Sequence, residues 1–232
     1  LRTLVDYSLE LSRRVDNTQY QSTALCIQGF IALRTGELSR AEPLLVEAIQ
    51  KAELARDPCM IFFGNAHLSL CALRRDDFQR ARQKADSALD EFLRAPPAGD
   101  IAVEARAALA EVYFTLWTRR AEPSERAALE LRLRQCLGAL RTLAAMIPIC
   151  RPRTLLWHGR YAARLGHVRL SQWLLRRALT TAEHYRLPFE EALAHQALCQ
   201  ESARHDEPRQ ADDSRRRASA LFARVGARWY LS

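Results

Sequence analysis

Small and apolar residues recur along this chain at the spacing of one helix face. Leu25, Gly29 and Ala32 stand at i, i+4 and i+7, and Ala41, Leu45 and Ala48 repeat the pattern after a short polar stretch. That spacing predicts two helices joined by a tight turn. Small residues at Gly29, Ala32 and Ala41 let the two helices approach closely, where a bulky side chain would push them apart. Continued along the chain, the same periodicity predicts helices over 1–14, 18–35, 39–55, 59–74, 78–94, 100–118, 124–146, 153–165, 169–186, 188–204 and 209–225. Pro43, Pro123 and Pro208 fall in the opening turns of second helices, where a missing N–H costs least.

The turn is written more than once. "ALRTGELSRA" at 32–41 returns as "ALRRDDFQRA" at 72–81, "AARLGHVRLS" at 162–171 and "SARHDEPRQA" at 202–211. At 112–121, "VYFTLWTRRA" keeps only the final Ala121. Five units follow, at spacings of 40, 40, 50 and 40 residues, so the middle unit carries about ten extra. Arg34, Arg74, Arg164 and Arg204 share one slot of the repeat, and Gly36 and Gly166 share another.

The units resemble the tetratricopeptide repeat, whose pattern sets Leu-Gly and Tyr on the first helix and Ala, Phe and Ala on the second. Gln28-Gly29, Ala32, Ala41, Leu45 and Ala48 hold those slots in the first unit. Ser69, Ala72, Ala81, Ala85 and Ala88 hold them in the second, and Gly159, Ala162, Gly166, Ser171, Leu175 and Ala178 in the fourth. The fifth unit fits poorly on its second helix. The units are also longer than the usual repeat of about 34 residues. The resemblance implies an all-α, right-handed superhelix (an α-solenoid) of about five helix–turn–helix units and about 11 helices, a single domain over 1–232. "RAPPAGD" at 94–100 is the clearest break and divides possible sub-lobes 1–95 and 100–232; "MIPICRP" at 146–152 is the other. "RPRTLLWHGRYAARLGH", "LPFEEALAHQALCQE" and "RASALFARVGARWYL" also look like the carboxy-terminal arms of large bacterial regulators, the signal-transduction ATPases with numerous domains (STAND type). The chain opens on Leu1 inside a helical pattern, which is expected of a piece of such a larger protein.

Composition agrees with helices. Only 8 of 232 residues are Gly and 9 are Pro, which argues against disorder and against a turn-rich β fold. The net charge of +8 is uneven: residues 151–232 hold 15 Arg against 8 acids, and the rest hold 20 basic against 19 acidic residues. Of all the basic residues, only Lys51 and Lys84 are lysines, a bias that a genome rich in G and C produces. Six cysteines without a C-x-x-C pair suit reduced thiols in a cytoplasm. Cys59 and Cys150, beside proline-containing turns, are the two expected to be accessible. Uncharged runs fall short of a membrane span, and the opening stretch reads as helix, not as a secretory leader.

Chemistry-bearing motifs are missing from the string. It contains no G-x-x-x-x-G-K-[ST], G-x-G-x-x-G, G-x-S-x-G or H-E-x-x-H. His195 and Cys199 stand at i and i+4 with His205 beyond, two potential metal ligands where a site needs three or four. Asp76-Asp77 and Asp212-Asp213 are adjacent pairs that favour a helix dipole; general acid–base work needs carboxylates converging across a cleft. No cofactor, no metal and no catalytic residue is expected.

Candidate binding residues come from the first helices, which line the concave face in tetratricopeptide arrays. They are Phe30, Arg34, Leu70, Arg74, Glu111, Phe114, Arg153, Arg160, Arg164 and Arg204. The four recurrent arginines read either as a ligand-gripping row or as cations that cap helix ends and complement their dipoles. The basic run "DDSRRRAS" at 212–219 is partly neutralised by its own acids. Trp117, Trp157, Trp173 and Trp229 are expected in the core or between units. The expected function is a non-catalytic interaction or sensor module of a bacterial regulator, taking a peptide, protein or effector in its groove and relaying it to the parent's regulatory domains. Nucleic-acid binding through the basic final third and sensing of a small metabolite are the alternatives. The expected partner is a protein, a peptide or other domains of the parent chain, with nucleic acid unlikely and no membrane.

Overall fold

In the computed structural model, which describes residues 2–94, 101–119 and 123–231, the regular elements are helices. In chain order they are α1 (Arg2–Arg14), α2 (Thr18–Thr35), α3 (Leu38–Ala55), α4 (Pro58–Leu73), α5 (Phe78–Arg94), α6 (Ile101–Arg119), α7 (Pro123–Met146), α8 (Arg151–Arg164), α9 (Val168–His184), α10 (Pro188–Arg204) and α11 (Pro208–Val225). Short 3-10 turns lie at Pro148–Cys150 and Arg228–Leu231. The eleven helices predicted by periodicity are those found, with ends shifted by two residues at most. The chain is an all-α helical repeat array.

The reversals between helices share one geometry. Asp16, Gly36, Arg56 and Asp76 have positive φ, as do Gly166, Arg186, Asp206 and Gly226. Within each set these positions are twenty residues apart, so a left-handed residue follows α1 to α4 and α8 to α11 at the same phase. Two backbone bonds close each reversal. The Glu37 N–H donates to the Ala32 carbonyl at 2.8 Å and the Gly36 N–H to Leu33 at 3.3 Å. Asp77 to Ala72, His167 to Ala162 and Glu207 to Ser202 repeat the longer bond at 2.9–3.0 Å. This is the Schellman arrangement, which satisfies the last carbonyls of a helix. Residues 32, 72, 162 and 202 open the four recurring ten-residue strings, so the repeat seen in the sequence is the footprint of this turn. Glycine takes the left-handed slot without steric cost, and Asp is among the few side chains that visit it routinely, which is why Gly and Asp hold six of the eight positions, Arg56 and Arg186 being the other two.

Helix starts are fixed as locally. Asn17 Oδ1 accepts from the Tyr20 N–H at 3.0 Å, and Asp57 Oδ1 from the Met60 N–H at 3.1 Å. Pro58, Pro188 and Pro208 occupy first helical positions. Pro43 departs from expectation: it lies inside α3, beyond the first turn.

The described chain falls into two compact units, Leu1–Cys136 and Leu137–Ser232. The division lies within α7 and not at the proline-rich break, of which residues 95–100 are outside the described residues. In the first unit α2 pairs with α3 and α4 with α5, while α2, α4 and α6 lie side by side as a layer of first helices. In the second unit α8 pairs with α9 and α10 with α11, and α8 adjoins α10. Close approach depends on glycine in both units. A Cβ on Gly29 would stand 2.6 Å from Leu45 Cγ, and one on the equivalent Gly159 2.8 Å from Leu175 Cδ2. Leu45 and Leu175 are fully buried by this contact. The core of the second unit gathers Leu156, Leu175, Phe189, Leu198 and Phe222. Tyr230 stacks on Phe222 with centroids 4.9 Å apart, closing the end of the last hairpin.

Two expectations about burial change. Trp117 and Trp157 are buried, but Trp173 is 51% exposed, because it lies on the side of α9 opposite to Ser171, Leu175, Ala178 and Ala182. Cys150 is buried, because the 3-10 turn leading into α8 tucks it inward; Cys59 is half-buried. α1 buries Val5, Leu9 and Ser12 and leaves Leu4, Tyr7, Leu11 and Val15 exposed.

Glycine substitutions separate packing from propensity. Gly29→Ala is expected to lower stability by about 1–2 kcal/mol, since the new methyl overlaps Leu45 by more than helix propensity returns. Gly138→Ala, inside α7 with nothing within 4 Å of the added Cβ, is expected to raise it by roughly 0.5–1 kcal/mol. Denaturant unfolding of the two variants reads both signs.

Candidate functional site

The predicted residues lie on the first helices, some in each unit. In the first unit α2 supplies Phe30 and Arg34, α4 supplies Phe63, His67, Leu70 and Arg74, and α6 supplies Glu104, Glu111 and Phe114. The α4 residues are spaced i, i+4, i+7 and i+11, one face of the helix.

Phe30 is half-buried and packs edge-on against His67 (5.0 Å) and Phe63 (6.0 Å). The Arg34 guanidinium lies 4.3 Å from the Phe30 ring centroid, and its Nη2 donates to Glu104 Oε1 at 2.8 Å. Both side chains of that pair are about three-quarters buried or more. Arg74 points elsewhere: its Nη1 donates to the Leu33 carbonyl at 2.6 Å, at the C-terminal end of α2. It thus caps the helix of the preceding hairpin. Leu70 is buried, while Glu111 and Phe114 are half-buried, the latter edge-on to Trp117 at 6.2 Å.

His67 is the buried polar centre of this cluster. Its Nδ1–H donates to the Phe63 carbonyl at 2.8 Å. Burial pushes its pKa down to about 4, partly opposed by that hydrogen bond and by the Glu104 carboxylate, and aided by Arg34 and Arg74. The imidazole is therefore neutral near pH 7.

In the second unit Arg153 is buried, donates from Nη2 to Glu190 Oε1 at 2.7 Å and lies 5.3 Å from the Phe189 ring centroid. Arg160 lies 5.0 Å from the Trp157 ring centroid and reaches Gln196 Oε1 at 3.5 Å. Arg164 and Arg204 are exposed in the last turns of α8 and α10, and Arg204 pairs with Glu201 on its own helix at 2.5 Å. The four recurrent arginines thus divide between two units, and Arg34, Arg74 and Arg204 act differently: an inter-helix ion pair, a carbonyl cap and a pair within one helix.

Periodicity found Phe30, Arg34, Leu70 and Arg74 but passed over His67, Phe63, Glu104 and Glu190. His67 and Phe63 are legible in retrospect as one and two turns before Leu70 and Arg74. Glu104, seventy residues from Arg34, carries no local signal.

Among the described residues no group of three or more His, Cys, Asp or Glu is placed to hold a metal ion. His195 is buried and Cys199 half-buried. Burial raises the thiol pKa of Cys26, Cys59, Cys71 and Cys136, the direction opposite to activation. No helix of the described residues is long and apolar enough to cross a membrane.

No family model matches the chain, and no curated protein matches it. Among solved structures it is similar to BtubC (BKLC) from P. vanneervenii, with a TM-score of 0.63 and 16% identity, over 97% of this chain and 90% of that one. At that identity the likeness is one of fold alone.

The neutral buried His67 makes stability depend on pH. Its folded pKa lies below the unfolded value of about 6.5, so the unfolded chain binds the proton first as pH falls. Stability from this residue is complete above about pH 7 and is lost between pH 6.5 and 4. Between pH 7 and 5 the loss is about 2 kcal/mol. His67→Gln is expected to flatten the pH dependence by that amount, measured by urea unfolding at the two pH values.

Proposed function

We propose that this chain is a non-catalytic binding module, a tetratricopeptide-like right-handed superhelix from a larger bacterial regulator of the signal-transduction ATPase kind. It takes a peptide or protein segment along the faces of its first helices. Binding shifts how the array packs against the regulatory domains of the parent, and so relays the partner's presence to transcription or another output. The module works in the cytoplasm and needs no cofactor.

One observation carries this reading: three aromatic rings on the first helices are faced by a guanidinium. Phe30 carries Arg34, Trp157 carries Arg160, and Phe189 carries Arg153. Aromatic and arginine anchors dominate the binding energy of protein interfaces. Phe30, Arg34 and Arg160 are half-buried and within a partner's reach, while Trp157, Phe189 and Arg153 are buried and hold the surface in place; set on helices, the reachable side chains lose little conformational freedom when a partner docks. Glu111 sets an acidic position beside the aromatic one, which suits a segment of mixed charge more than a uniform polyanion.

Panning the purified chain against a displayed peptide library is expected to enrich a sequence family. Its synthetic members are expected to bind roughly tenfold or more weakly to Glu111→Arg or Arg160→Glu, with helical circular dichroism unchanged. Absence of enrichment, or binding indifferent to both substitutions, overturns the reading, as does nucleoside triphosphate hydrolysis by the purified chain.

A further inference from the structure

A second surface lies on the opposite side of the second unit, on α9. We propose that the solvent face of α9 binds single-stranded nucleic acid through Arg169, Trp173, Arg176 and Arg177.

The placement follows from the helix period. Ser171, Leu175, Ala178 and Ala182 are buried and form the inner side of α9. At about 100° per residue, Trp173 lies diametrically opposite them. Arg169, Leu170, Arg176, Arg177 and Thr180 fall within about 60° of Trp173 on the same wheel. All five, and Trp173 itself, are exposed. They run along about 16 Å of helix, and Arg169, Gln172, Trp173, Arg176, Arg177 and Thr180 line an open depression of about 320 Å³.

The charge on this stripe is uncompensated. Among the described residues, Arg169, Arg176 and Arg177 make no ion pair, and the first acid on α9 is Glu183 near its end. The basic run on α11 behaves differently. Arg215 pairs with Asp212 at 3.0 Å, and Arg216 and Arg217 pair with Asp213 at 3.7 and 3.0 Å. The longer cationic run in the sequence is therefore the neutralised one, and the dispersed arginines of α9 form the electropositive face.

The indole decides the class of partner. Trp173 is half exposed beside Arg177, whose guanidinium lies 4.9 Å from its ring centroid. An exposed aromatic flanked by arginines offers a base a stacking platform and the phosphates on either side a bidentate donor. A duplex keeps its bases stacked inside and gains little from the indole. An acidic peptide uses the arginines but has no flat ring to lay on it. Single strands use both features, without base-edge readout, so the binding is tolerant of sequence.

The test is fluorescence anisotropy of the whole chain with a fluorescein-labelled twenty-residue oligo-dT, and with oligo-U of the same length. Binding is expected at 50 mM salt, falling roughly 20-fold by 200 mM as about three phosphates are neutralised. Arg176→Glu combined with Arg177→Glu is expected to weaken it more than 20-fold. Trp173→Ala is expected to weaken it about tenfold, and Trp173→Phe to retain most of it. Arg215→Glu with Arg216→Glu, and Glu111→Arg on the first-helix face, are expected to leave it within twofold, which keeps this surface distinct from the peptide groove. No binding at 50 mM salt overturns the proposal. So does binding unaffected by the α9 substitutions. Equal affinity for a duplex, or equal competition by polyglutamate with Trp173→Ala silent, overturns it in favour of a general polyanion surface. Since every changed α9 side chain is exposed, melting temperatures near wild type are expected and verify that the fold is intact.

Discussion

The left-handed reversal that follows α1 to α4 and α8 to α11 is the constraint on which the rest of the molecule depends. A Schellman closure consumes the last carbonyls of one helix and aims the next helix back along it. Because the left-handed residue recurs every twenty positions within each set, successive hairpins begin in the same phase. Small residues then meet large ones at the same crossing, as Gly29 meets Leu45 and Gly159 meets Leu175. Side chains in the turns that precede each reversal return at matching positions in successive hairpins. That is how Phe30 and Arg34 come to lie beside Phe63, His67 and Arg74 without any long-range signal in the sequence.

Electrostatics refine this frame. Arginine dominates the basic residues, yet its side chains do different things according to where the helices put them. Arg74 caps α2, Arg34 and Arg153 reach acids on neighbouring first helices, and Arg215 to Arg217 fold back onto their own aspartates. The partly buried pairs carry a desolvation cost that only good geometry repays, so they act more to fix register between hairpins than to add net stability. The net charge of the chain is consequently a poor guide to its outer surface. Burial, and the distance to the nearest carboxylate, decide which guanidinium groups present a field to solvent.

Much of the architecture was legible from residue spacing because helix pairs are local objects. The eleven helices follow from periods of three and four, and the turn residues follow from the scarcity of side chains that accept positive φ. What the string concealed were contacts whose partners lie a hairpin or more away: Glu104 for Arg34, the Leu33 carbonyl for Arg74 and Glu190 for Arg153. It also concealed depth. His67 and Leu70 share a face, but only packing against α2 and α6 makes the imidazole a fully buried, neutral group. Trp173 shows the converse. A tryptophan invites placement in a core, and only its angle to Leu175 reveals that it faces outward.

The metre of twenty residues also governs how such a chain changes length. One residue added within a helix rotates every later side chain on it by about 100°. In α9 such a slip would carry Leu175 off its glycine partner and break the phase of the next reversal. Growth by whole hairpins leaves every crossing intact, and growth at the one place where the metre is already broken leaves the rest untouched. The fifty-residue step between the third and fourth turns is therefore where added residues would disturb the array least, and the hairpins on either side behave as indivisible pieces.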